Sequence, residues 1–84
     1  MKILILGADG MIGHKIAQTL SKHNFEIHLN TRSNKIFFEN KFPQCQIYQF
    51  DFLSQDIIGL LNRVFPDFIL NAAGITIRRG SENL

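Results

Sequence analysis

Hydrophobic and polar positions change period several times along the chain. Ile3, Leu4, Ile5 and Leu6 form an unbroken apolar run closed by Gly7. A half-solvated strand would alternate, so this run predicts a strand buried on both faces, as in a parallel sheet. After Gly7-Ala8-Asp9-Gly10-Met11-Ile12-Gly13 the pattern changes. Ile12, Ile16 and Leu20 recur at i, i+4 and i+8, Ala17 widens the stripe, and residues 14–23 are expected to be helical. Asn24 tolerates the left-handed region and is expected to end that helix. Phe25, Ile27 and Leu29 alternate with Glu26 and His28, which predicts a second strand less deeply buried than the first.

Residues 31–43 are polar and basic around Ile36, Phe37 and Phe38, and read as a loop with one turn at most. Ile47, Tyr48, Phe50 and Phe52 predict a third strand starting at Cys45 and ending near Phe50. Residues 54–65 read as a second helix. Ser54 would cap it, Asp56 would complement its dipole, and Ile57, Ile58, Leu60, Leu61, Val64 and Phe65 would form its apolar stripe, ended by Pro66. Phe68, Ile69 and Leu70 form a short fourth strand before Asn71-Ala72-Ala73-Gly74, and residues 75–84 show no clear period. The alternation predicts an α/β fold with a doubly wound parallel sheet. Right-handed crossovers give the order 3-2-1-4, with the first helix on one face and the 54–65 helix on the other.

Composition narrows the classes. With 84 residues there is room for one small domain, and 45% hydrophobic against 19% charged residues argues against disorder. A single cysteine, Cys45, excludes an internal disulfide framework and a Cys-rich zinc site. A net charge of +2 is too small a bias to suggest nucleic acid or membrane as partner. The N-terminal apolar run falls short of the roughly 7–15 residues of a secretory core, and no stretch approaches a membrane span, so a cytoplasmic location is expected.

The candidate chemistry lies in the glycines. Gly7, Gly10 and Gly13 leave a strand and open a helix, the context in which such spacing is informative. Gly7 would permit the tight turn, Gly10 would let backbone amides approach a pyrophosphate, and Gly13 would allow the helix to pack closely on the sheet. The amides of Gly10, Met11 and Ile12 would then sit at a helix N-terminus, which favours an anion. The alternative is a glycine turn that serves packing alone. A Walker loop is excluded, because Ile12, Gly13 and His14 stand where it needs Gly-Lys-Ser/Thr.

The stretch from Lys2 through Gly13 resembles the N-terminus of the extended short-chain dehydrogenase/reductase superfamily, with its G-x-x-G-x-x-G spacing. The resemblance implies the N-terminal half of a Rossmann-type sheet, with residues 1–84 as a dinucleotide-binding half-domain that stops after the fourth strand. It also implies that Asp51, followed by Phe52, hydrogen-bonds the adenine amino group. Asn71, Ala72, Ala73 and Gly74 look like the superfamily's N-A-A-G loop, which passes beside the adenosine ribose and pyrophosphate. Within the superfamily the chain most resembles the dTDP-4-dehydrorhamnose reductase-like group of sugar-nucleotide reductases, which continue with a Gly-Ile and basic residues, as in Gly74-Ile75 and Arg78-Arg79.

Charge bears on the cofactor. NAD-preferring domains place a carboxylate about 20 residues past the glycines to accept the ribose 2′-hydroxyl. Asn30, Thr31 and Arg32 stand there instead, and Arg32 with Ser33 and Lys35 suits a 2′-phosphate, which favours NADP(H) over NAD(H). Asp9, Met11 and Thr31 complete the expected cofactor contacts. The remaining candidates read as structural: His14, His23 and His28 on solvated faces, Phe37 and Phe38 in the core rather than over the adenine, and Cys45 as a small buried hydrophobe.

The superfamily's Tyr-x-x-x-Lys pair is absent, since Phe52 stands four residues after the single tyrosine, Tyr48. The expectation is therefore the adenosine-binding half of a reductase, without a catalytic residue or metal ligand and inactive alone, with a sugar nucleotide bound only in a full-length parent. Alternatives are a non-catalytic nucleotide-binding or sensor module and an inert remnant. An uncovered apolar edge on the fourth strand would favour self-association.

Overall fold

The computed structural model describes residues 1–49 and 57–72. Its elements run β1 (Lys2–Leu6), α1 (Met11–Leu20), β2 (Glu26–Thr31), α2 (Lys35–Lys41), β3 (Gln46–Gln49), α3 (Ile57–Val64) and β4 (Phe68–Asn71). The four strands form one parallel sheet in the order β3-β2-β1-β4, as the alternation of elements predicts. β1 is central, with Leu4 opposite His28 on one side and Ile69 on the other. Its unbroken apolar run follows from burial on both faces. Ile3 and Ile5 join Ala17, Ile27, Leu29, Phe38, Phe42 and Ile47 in one cluster, while Leu4 and Leu6 join Leu60 and Val64 in another. Helices α1 and α3 thus cover opposite faces, as right-handed crossovers require.

Four expectations need correction. Residues 31–43 are not an irregular loop, because α2 occupies Lys35–Lys41. Its anchors are Phe38 and Phe42, one helical turn apart and both buried, with ring centroids 6.3 Å apart; Ile36 is exposed, and so is Phe37, which therefore does not take the core place expected of it. Asn34 opens the helix from the left-handed region at φ 60°. Second, β2 is not the shallower strand, since Ile27, His28, Leu29, Asn30 and Thr31 are all buried. Having β1 and β3 on its two edges and packed material on both faces, it buries polar side chains that must then find partners.

Third, α1 ends at Leu20 with Ser21 in the right-handed region, and the left-handed non-glycine residues among those described are Asn34 and Phe65, not Asn24. The chain leaves α1 through successive tight turns, Lys22 N–H to Thr19 and His23 N–H to Leu20 carbonyls, so no left-handed residue is needed. Fourth, His28 and His14 do not lie on solvated faces. His14 packs against the rings of Phe37, Phe38 and Phe42, with the last at 5.8 Å. His28 is buried and stacks on Tyr48, with Nδ1 2.9 Å from the Tyr48 hydroxyl and Nε2 2.7 Å from a Glu26 carboxylate oxygen. His23 is exposed, as expected.

The end of α3 agrees with the sequence reading. Phe65, at φ 51° and directly before Pro66, turns the chain out of the helix while its N–H still bonds the Leu61 carbonyl at 2.9 Å. Phe50, Ser54 and Asp56, expected to end β3 and start the second helix, lie outside the described residues. Cys45 is buried just before β3, and burial pushes its thiol pKa up, which suits a packing role.

Candidate functional site

The C-terminal ends of β1, β2 and β4 meet at one edge of the sheet, and the glycine segment crosses it. Gly7 leaves β1 at φ 77°, a conformation that disfavours any side chain, so the expected turn is present. Gly10 N–H closes the turn on the Gly7 carbonyl at 3.1 Å, and Gly10 is the extended residue from which α1 starts. That amide is therefore already engaged, which corrects the expectation that it faces an anion. Met11 and Ile12 carry the amides of the first helical turn. Among the described residues no side chain caps this end of α1, and its first turn holds no acidic residue. A helix start with unpartnered amides and a positive dipole end is suited to a pyrophosphate.

The other two glycines differ in what demands them. A β-carbon on Gly13 would lie 2.1 Å from the Gly7 carbonyl oxygen and 3.0 Å from the Ala8 Cα, both backbone atoms that cannot yield. Gly13 thus lets α1 sit on the loop. A β-carbon on Gly10 would lie 3.5 Å from the same oxygen, an ordinary contact, so the protein itself tolerates a side chain there. Among the described residues nothing demands glycine at position 10, and the lack of a side chain there suits the close approach of a dinucleotide phosphate.

The loop is fastened to the neighbouring strand. Gly7 N–H donates to the Asn30 side-chain oxygen at 3.1 Å, and Ala8 N–H donates to the Asn30 carbonyl at 2.8 Å. Asn30 is fully buried. Sequence reasoning notices this position only for lacking a carboxylate; the available signal was an amide at the end of a buried strand, where a polar side chain must have a partner.

Thr31 is also fully buried, and its hydroxyl donates to the Ser33 carbonyl at 2.6 Å, shaping the exit from β2 rather than offering itself to a ligand. Arg32 projects outward with its side chain 69% exposed, and its Nε donates to an Asp9 carboxylate oxygen at 3.4 Å. Lys35 pairs instead with Glu39 along α2. On the far side of the glycine segment, Asn71 lies opposite Leu6 and Ala72 N–H bonds the Leu6 carbonyl at 2.9 Å. Gly7, Asp9, Gly10, Met11, Ile12, Gly13, Arg32, Ser33, Asn71 and Ala72 thus come from segments gathered at one sheet edge. Asp51, Phe52, Ala73 and Gly74 lie outside the described residues. Among the described residues no group of His, Cys, Asp or Glu side chains could hold a metal ion, and no helix is long and apolar enough to cross a membrane.

Among curated proteins and among solved structures, nothing matches the chain. The model of the NAD dependent epimerase/dehydratase family does match, over residues 3–83. That span contains all of the described sheet except Lys2, together with the loop strung across it, and the family implies a nucleotide cofactor of the NAD(P) type. An uncapped helix start behind three spaced glycines at the switch point of a 3-2-1-4 sheet is what such a cofactor requires, and the chain belongs to the NAD dependent epimerase/dehydratase family, part of the extended short-chain dehydrogenase/reductase superfamily.

Proposed function

We propose that residues 1–84 form a half-domain that binds the adenosine-pyrophosphate part of NADP(H), as the N-terminal segment of a cytoplasmic sugar-nucleotide reductase of the dTDP-4-dehydrorhamnose reductase type. The observation carrying this reading is the pairing of a free helix start behind Gly7, Gly10 and Gly13 with the exposed Arg32 at the end of β2. The first suits a pyrophosphate and the second a ribose 2′-phosphate, for which a guanidinium is a fitting partner. Asp51, Phe52, Asn71, Ala72, Ala73 and Gly74 would complete the adenosine side. The bound nicotinamide would supply hydride to a keto sugar in a full-length enzyme. Calorimetry with NADPH and NADH tests the cofactor assignment. Tighter binding of NADPH, lost in Arg32→Ala, is expected, and tighter binding of NADH would overturn it.

A second reading is a non-catalytic nucleotide-binding module, consistent with a Tyr48 hydroxyl engaged by the buried His28 on the α3 face of the sheet. Burial raises the Tyr48 pKa, an effect that the nearby Arg63 only partly offsets. Under both readings the chain alone turns over no NADPH with any keto sugar, which a spectrophotometric assay checks. Self-association through β4 is part of the same proposal, since Phe68 and Ile69 are exposed. A concentration-dependent dimer in sedimentation supports it, and a monomer at high concentration counts against it.

A further inference from the structure

We propose that Asp9 is the positioning residue for Arg32, so that discrimination at the ribose 2′ position belongs to the Asp9–Arg32 pair rather than to the arginine alone. The inference rests on the NADP(H) reading above and deepens it. Asp9 lies inside the glycine segment, directly before Gly10. Its side chain is only 13% exposed while that of Arg32 is 69% exposed, so the carboxylate is the anchor and the arginine the group being held. The contact uses Nε, 3.4 Å from Oδ2. A guanidinium has five N–H donors, and a contact through Nε alone leaves the four N–H groups of the terminal amino nitrogens for a ligand. The pair thus fixes a two-pronged donor against the same loop whose amides suit a pyrophosphate. In a 2′-phosphorylated adenosine the two phosphate groups hang from one ribose, and a donor tied to the loop has its distance from both set in advance.

Simple Coulomb reasoning gives the opposite expectation. A carboxylate beside a 2′-phosphate repels it, so neutralising Asp9 should strengthen NADPH binding. Positioning predicts weakening, because a freed arginine must be ordered on binding, at a cost in side-chain entropy. The sign of one measurement separates the two.

The test is calorimetry of NADPH and NADH on the wild-type chain and on Arg32→Ala, Asp9→Ala and Asp9→Asn, each first checked for an unchanged melting temperature. For an exposed pair, Asp9→Ala is expected to lower the NADPH-to-NADH affinity ratio by about three-fold. Asp9→Asn keeps an oxygen acceptor and should recover part of it. A wild-type preference for NADPH that disappears in Arg32→Ala but is unchanged or increased in Asp9→Ala overturns the role of Asp9 and leaves the NADP(H) reading intact. A wild-type chain with no preference for NADPH overturns both. Nuclear magnetic resonance of the Arg32 Nε–H gives a ligand-free readout. Its exchange with water should be faster in Asp9→Ala, and an unchanged rate counts against the proposal.

Discussion

At the scale of single residues, the glycine segment shows how alike positions carry unlike demands. Gly13 is required by the protein, because a side chain there meets the backbone of Gly7 and Ala8. Gly10 is not. Gly13→Ala should therefore lower stability by about 1–3 kcal/mol, as overpacking against unyielding atoms does. Gly10→Ala should leave the melting temperature nearly unchanged while weakening dinucleotide binding, and melting curves with parallel binding titrations check both. The glycine spacing was legible in the sequence because each position has a physical reason to be glycine. Asn30 was not legible as a site residue. Its importance arises from the Gly7 N–H that meets its side chain across strands, and a pairing between residues 23 apart leaves no local signature. Arg32 could be read from charge alone, but its partner Asp9 needed the fold.

At the scale of elements, strand order and helix faces followed from alternation and crossover handedness, which are properties of the chain's pattern. Helix α2 did not. Its seven residues are too few to show a full apolar stripe, and the three adjacent apolar residues 36–38 obscured the pair that matters. Phe38 and Phe42, at helical spacing, fill the space between α1 and β3 in the larger cluster. Phe38→Ala should cost about 3–5 kcal/mol, measured by denaturant unfolding, whereas truncating the exposed Phe37 should cost far less. Strand β2 reads as shallow in the sequence for a related reason. His28 and Asn30 look like solvent-facing polar positions, yet each is buried because it has a hydrogen-bond partner on another residue, which a hydropathy pattern cannot record.

At the scale of the whole molecule, two apolar clusters share one sheet, and the smaller carries a polar seam. Glu26, His28 and Tyr48 link β2 to β3 on the face that α3 covers. The His28 ring bonded to the Glu26 carboxylate holds its pKa below the ordinary value, with Lys2 and the N-terminus adding to the effect. A carboxylate whose folded pKa is depressed stabilises fully above its unfolded value, and that contribution is lost as pH falls through the folded value. The chain should therefore lose stability on acidification below about pH 4.5, the ordinary glutamate range. Glu26→Gln should flatten that part of the profile in melting curves recorded from pH 6 down to 3.

The join between the two ends of the described chain has a kinetic side. Lys2 N–H donates to the Asp67 carboxylate at 2.8 Å, the Lys2 ammonium reaches the Val64 carbonyl at 3.0 Å, and Asp67 N–H returns to the Lys2 carbonyl at 2.8 Å. The central strand is thus synthesised well before its clasp, which comes from a residue 65 positions later. Closing so long a loop is entropically costly before its contacts form, so β1 spends the growth of the nascent chain with one edge and the Leu4 and Leu6 side chains awaiting β4 and α3. Asp67→Ala should accordingly quicken unfolding in stopped-flow chevrons while leaving the refolding limb nearly unmoved, since the clasp belongs to the last closure. A ribosome carrying this chain would present β1 before the α3 and β4 that cover it, and the interval between is when a chaperone would find it.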